Sequence, residues 1–219
     1  VGRLLGPAEH TGLIHPLTEW VMLTAIRQCR SWQKEGLRVP LAINLSARSL
    51  FDPLLPDRLI TLLQNCDLAA EMFSVEITES SIMADPVRAR QILLRIHEIG
   101  VRIAIDDFGV GYSSLGYLRK LPVDRLKVDK SFVVNMAYEA GNAAIVRSTI
   151  DLAHNLGVEV VAEGVEDTQT YNQLLKLACD RAQGYLFSEP LSSRDFSVWL
   201  RESTWGLVKN RRPDGRSCA

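Results

Sequence analysis

The chain has 219 residues, 47 % hydrophobic and 23 % charged, enough to bury a sizeable core in one large α/β domain. Its formal net charge of −1 gives no basic field to hold duplex DNA by bulk electrostatics, so DNA is not an expected partner. The four cysteines, Cys29, Cys66, Cys179 and Cys218, form no CxxC pair, which argues against a disulfide framework and a zinc site; no apolar run reaches the roughly 20 residues of a membrane helix, and the expected location is the cytoplasm.

Over residues 18–36, Trp20, Val21, Leu23 and Ile26 recur with Cys29 and Trp32 at near-helical spacing, and a glycine ends the run; this predicts an amphipathic helix with its tryptophans and leucine in the core. The apolar run 41–46 predicts a buried strand. The cycle then repeats, with a helix over 53–66, a strand over 73–77, a helix over 85–99 and a strand over 102–106. Asp85 and Pro86 supply an N-cap and a first-turn proline, and Gly100 supplies a stop. A strand over 124–128, a helix over 142–156 ended by Gly157 and a strand over 158–162 follow. The last cycle is a helix over 168–178, a strand over 183–187 and a helix over 193–202. Six strands that read as apolar on both faces and alternate with helices fit either a doubly wound sheet or a TIM-type barrel. No low-complexity linker divides the chain, so one domain is expected over 1–203, with 204–219 as a polar, breaker-rich tail.

Nearly every expected strand finishes in a group able to bind a metal or move a proton: Asn44, Glu76, Asp106 with Asp107, Lys127, Glu163 and Gln183. Each has an ordinary reading as well. Glu76 and Glu79 can end a strand and open a helix, Lys127 can face a sheet edge, Glu163 can cap a loop, and Asp106-Asp107 can simply stop a strand. Their joint placement is what favours one site, because the C-terminal ends of parallel strands converge on one rim. The neutral oxygen donor Asn44 and the carboxylates Glu76, Asp106, Asp107 and Glu163 form a hard ligand set suited to Mg²⁺ or Mn²⁺. Adjacent aspartates on a strand point to opposite faces, so both reach one cup only where the backbone turns, which Phe108-Gly109-Val110-Gly111 would allow. A pair of divalent ions there suits phosphodiester hydrolysis. His10, His15, His97 and His154 share no such placement and read as structural or surface residues.

Several segments resemble the EAL domain: Asn44-Leu45-Ser46, Glu76-Ile77-Thr78-Glu79, Asp106-Asp107-Phe108-Gly109 with Gly111-Tyr112-Ser113-Ser114-Leu115, Lys127-Val128-Asp129, Val161-Ala162-Glu163-Gly164-Val165-Glu166 and Gln183-Gly184-Tyr185-Leu186-Phe187. The resemblance runs from about Pro7 to Pro190 and implies a TIM-type (β/α) barrel that hydrolyses cyclic di-GMP to linear pGpG with two metal ions. It implies Asn44, Glu76 and Asp106 as metal ligands, Asp106 bridging the pair and Asp107 serving the second ion. Lys127 and Glu163 would position or deprotonate the attacking water, with Glu163 as general base. Glu166 and Gln183 would stand at the site's edge, and Glu79 would anchor the loop after Asp107. It further implies a homodimer, with sensory or diguanylate-cyclase domains in the parent protein.

The family opens with two further strands, the second ending in a Glu-Ala-Leu motif whose glutamate is a metal ligand. No such tripeptide occurs in the 219 residues. The expectation is therefore a barrel short of its first two strands, with impaired hydrolysis; the alternative is a receptor module that binds cyclic di-GMP without cleaving it.

Overall fold

The computed structural model of the chain describes residue 8, residues 11–111 and residues 115–206. His10, the segment Tyr112-Ser113-Ser114 and residues 207–219 of the expected tail lie outside the described residues. Helix α1 spans Ile14–Lys34 and starts before the expected position 18. Pro16 does not prevent this, because the first-turn N–H groups of a helix have no partner within it to lose. The buried stripe of α1 is Ile14, Met22, Ile26, Cys29 and Trp32. Trp20, expected in the core, is 63 % exposed: the stripe is set by the Met22, Ile26, Cys29 spacing, which turns position 20 outward.

Strand β1 (Leu41–Asn44) leads into α2 (Ala47–Leu50) and α3 (Leu55–Asn65); β2 (Phe73–Thr78) leads into α4 (Glu79–Ala84) and α5 (Pro86–Glu98). As expected, Asp85 caps α5, accepting from the Arg88 N–H at 3.1 Å. Next come β3 (Arg102–Phe108), α6 (Leu115–Leu118), β4 (Arg125–Val128), α7 (Lys130–Val133) and α8 (Ala140–Leu156), which ends on Gly157 at φ 73. The chain then forms β5 (Glu159–Ala162), α9 (Thr168–Lys176), β6 (Arg181–Ala182) and α10 (Ser193–Glu202).

All neighbouring strands are parallel and lie in chain order from β1 to β6, a curled half-barrel sheet with its C-terminal strand ends along one edge. One face is apolar: Ile43, Phe73, Val75, Ile77, Ile103, Ile105, Leu126, Val128 and Val160 join the core built with the helices. The opposite face is not apolar, contrary to the expectation from sequence. It carries Ser74, Glu76, Asp106, Arg125, Lys127 and Glu159, whose charges are met by one another. Near the N-terminal edge Glu159 Oε2 lies 2.9 Å from Arg125 Nε and 3.1 Å from Arg181 Nε. In short strands such paired charges interrupt the apolar pattern too rarely to be read as a face.

The last strand also differs. It occupies residues 181–182, and Gln183–Phe187, expected as the strand, is a turn. A Cβ at Gly184 would lie 2.1 Å from the Val165 carbonyl oxygen, so the backbone passes too close to its neighbour to continue the ladder. The apolar side chains that suggested a strand instead build a cluster in which Phe187 meets Tyr171 at 5.8 Å and Trp205 at 4.9 Å. Helix α10 returns to α1, where Trp32 packs on Phe196 at 5.1 Å and donates from Nε1 to Ser197 Oγ at 2.9 Å. No described helix is long and apolar enough to cross a membrane.

Candidate active site

The site begins with a lysine in an apolar stretch. Leu126 and Val128 point into the core, and strand alternation sends Lys127 to the polar face, where it is only 4 % exposed. Its Nζ lies 2.7 Å from Glu76 Oε2, 3.0 Å from Asp106 Oδ1 and 2.7 Å from Glu163 Oε1. These acids come from β2, β3 and the residue after β5, so parallel pairing brings four segments distant in sequence to one point. Burial works against the charged lysine, but Glu76 and Glu163 outweigh it and hold its pKa well above the ordinary value. Burial pushes the Glu163 carboxyl up against the pull of Lys127, with Asp106 and Glu76 adding to the rise.

The two aspartates reach one side through a β-bulge. Ile105 pairs with Leu126 and Phe108 with Val128, so β3 uses three steps where β4 uses two. Asp107 takes up the extra step with φ 53, a left-handed conformation rarely adopted by a residue with a side chain. The turn thus falls on Asp107 itself, and Phe108 resumes the ladder, rather than on the glycines that follow. As a result, carboxylate oxygens of Asp106, Asp107 and Glu163 lie within 4.8 Å of one another. Burial, then Asp106 and Asp129, raise the Asp107 pKa.

Glu79, at the start of α4, is 7 % exposed, and its Oε2 accepts from the Gly109 N–H at 3.5 Å. Asn44 is exposed at the end of β1, in register with Glu76. Glu166 and Gln183 are exposed near the same edge; the main chain of Gln183 bonds Ala162 and Val165, at 2.8 and 3.0 Å. Among the described residues no hydrogen bond joins the side chains of Asn44, Glu166 or Gln183 to the carboxylates. Asp129, for which the sequence suggests no role, lies against Asp107. Its side chain caps α7, accepting from the Ser131 N–H at 2.8 Å; its two-residue spacing from Lys127 was the available signal. His15, His97 and His154 pair instead with Asp52, Asp124 and Asp180.

Four carboxylates against one ammonium leave excess negative charge in a half-buried, all-oxygen cluster, and this donor set fits a hard divalent cation.

The chain is 40 % identical over 200 residues to the cyclic di-GMP phosphodiesterase NbdA of Pseudomonas aeruginosa, covering 91 % of this chain and 26 % of that protein. It is 39 % identical over 191 residues to the bifunctional diguanylate cyclase/cyclic di-GMP phosphodiesterase MucR of the same organism, covering 87 % and 28 %. The chain therefore spans about a quarter of the length of these relatives. Among solved structures, the PaMucR phosphodiesterase in complex with cyclic di-GMP superposes with a TM-score of 0.86 at 38 % identity, covering 89 % of this chain and 79 % of that one. The family model of the EAL domain matches residues 2–190, and the chain belongs to the EAL domain family.

Proposed function

We propose that this chain is a metal-dependent phosphodiesterase module that hydrolyses cyclic di-GMP to pGpG. The observation that carries the reading is the buried Lys127 ammonium held by Glu76, Asp106 and Glu163 where Asp107 adds a fourth carboxylate. The substrate follows from relatives named as cyclic di-GMP phosphodiesterases and a neighbour in complex with that dinucleotide. Asn44, Glu76 and Asp106 would hold the metal ions, and Asp107 would serve the second. Mg²⁺ or Mn²⁺, when bound, supplies charge neutralisation and polarisation at the phosphodiester.

Glu163 accepts the proton of the attacking water, and its raised pKa makes it a stronger base than an ordinary glutamate. Lys127 fixes the orientation of Glu163 and Glu76 through two contacts of 2.7 Å. As the water oxygen bonds to phosphorus, the bond to the ribose 3′-oxygen breaks and that oxygen collects a proton, leaving a 5′-phosphate. Glu166 and Gln183 border the substrate, and Glu79 anchors the loop after Asp107. The hydrolytic unit is residues 1–203, followed by the polar segment 204–219. A homodimer in the cytoplasm, governed by sensory or cyclase domains of the parent protein, completes the proposal.

A second reading rests on one observation. The 219 residues contain no Glu-Ala-Leu tripeptide, so hydrolysis by this chain alone is proposed to be impaired, and a receptor that binds without cleaving is the alternative. The test is incubation with cyclic di-GMP and Mn²⁺, following pGpG by chromatography beside Asp106→Ala. Slow turnover lost in the variant supports the enzyme. Binding without turnover supports the receptor, and neither binding nor turnover overturns both.

A further inference from the structure

The two segments that carry Asp107 and Glu163 leave the sheet through left-handed turns. Asp107, Gly109 and Gly164 have φ of 53, 101 and 71, and such a conformation at a residue with a side chain persists only where its surroundings hold it. Both segments meet the same element. Strand β4, which holds Lys127, runs through Asp129 into α7, and α7 is fixed to the core by the fully buried Val133 and by Met136 just beyond it. Towards one segment α7 presents Phe132: a Cβ at Gly109 would stand 3.2 Å from its Cε2. Towards the other it presents Lys130 and the following Val134: a Cβ at Gly164 would stand 2.6 Å from Lys130 Cβ, 3.3 Å from Lys130 Cα and 3.2 Å from Val134 Cγ2. Asp129, which caps the helix, lies against Asp107 itself. The missing side chains at Gly109 and Gly164 therefore let α7 approach both segments closely.

We propose that α7 is a wedge holding the Asp107 and Glu163 segments in mutual register, with Phe132 and Gly164 as positioning residues for the hydrolysis. Phe132 limits the backbone of Gly109, two residues past Asp107, and the contact at Gly164 limits the residue that adjoins Glu163. Because α7 continues β4, the wedge is tied to Lys127, whose Nζ lies 2.7 Å from Glu163 Oε1 and 3.0 Å from Asp106 Oδ1. Displacing α7 therefore disturbs both sides of the cluster at once. A misplacement of about 1 Å at reacting groups costs about a hundredfold in rate. The effect on rate rests on the proposed roles of Asp107 and Glu163; the wedge itself does not.

Phe132→Leu keeps an apolar side chain and removes the ring edge that lies on Gly109. Amide exchange, measured by NMR without metal, is expected to accelerate about tenfold at both Gly109 and Val165, the size of a modest packing loss, while Val75 and Ile77 in β2 keep their rates. With cyclic di-GMP and Mn²⁺, kcat is expected to fall about tenfold at unchanged KM. Faster exchange at Gly109 alone, at neither position, or equally in β2 overturns the wedge. Faster exchange at both positions with unchanged kcat supports the wedge and counts against Asp107 and Glu163 in the reaction. If the unsubstituted chain shows no turnover, that reading fails and the exchange rates alone decide the wedge. Gly164→Ala is expected to lower the thermal midpoint, and Lys130→Gly, which removes the Cβ in the way of the added methyl, to restore part of the loss. No restoration overturns the proposal even if Phe132→Leu does not fold.

Discussion

An ammonium in contact with three carboxylates makes Lys127 the point on which the charge balance of the site depends. In Lys127→Met the side-chain volume is kept and Glu76, Asp106 and Glu163 are left facing one another without compensation. Removing one partner of a buried ion pair costs about 3–5 kcal/mol, so urea denaturation at neutral pH is expected to show a loss of that order. Mg²⁺ should restore part of it, since a divalent cation replaces the missing positive charge, and equal midpoints with and without the substitution would remove Lys127 from its central role. Glu163 offers a check of sign. Its folded pKa is raised, so in metal-free protein its side-chain resonance should titrate above the ordinary glutamate range, and added Mg²⁺ should move it down by favouring the carboxylate. As the proposed base, Glu163→Gln should lower kcat by about 10²–10⁴ with little change in KM.

At the scale of elements, the alternation of strand and helix was legible where helices carry their own start or stop signal: Asp85 and Pro86 for α5, Gly157 for α8. The residues of the acidic edge were legible too, since Glu76, Asp106 and Lys127 all interrupt apolar runs at the same end of neighbouring strands. What escaped was set by tertiary contact. The bulge that turns Asp107 depends on the register of β3 against β4, and the stop of β6 depends on Val165 meeting Gly184, neither of which has a local pattern. Gly184→Ala should therefore destabilise the chain by about 1–3 kcal/mol, as overpacking against backbone does, with the loss read by thermal unfolding. Helix α9 gives an independent test. Asp167 caps it, accepting from the Thr170 N–H and hydroxyl, both at 2.8 Å, and the backbone hydrogen bond leads in lowering its pKa. Asp167→Ala should cost about 1 kcal/mol at pH 7. Because the folded pKa is depressed, this stabilisation is present above the unfolded aspartate pKa and is lost as pH falls through the folded one, so the deficit of the variant should shrink in acid.

For the molecule as a whole, the open sheet poses a mechanical problem. Among the described residues, the outer edges of β1 and β6 pair with no strand, and such edges favour association with other chains. The link between the two ends of the sheet is made by helices: α10, which follows β6, packs against α1, which precedes β1. Trp32 is the centre of that contact, 6 % exposed, tilted against Phe196 and hydrogen-bonded to Ser197, with Leu200 buried in the same cluster. Arg201 adds an exposed ion pair to Glu35 at 3.4 Å, a contribution that solvent and salt reduce to little. The apolar contact therefore dominates, and Trp32→Ala is expected to lower global stability by about 3–5 kcal/mol, the usual loss for a buried tryptophan. If α10 holds the two ends of the sheet together, the variant should also associate more strongly with rising concentration, seen as an increase in light scattering below its unfolding transition. A stability loss without added scattering would mean that α10 contributes to the core but does not restrain the edges.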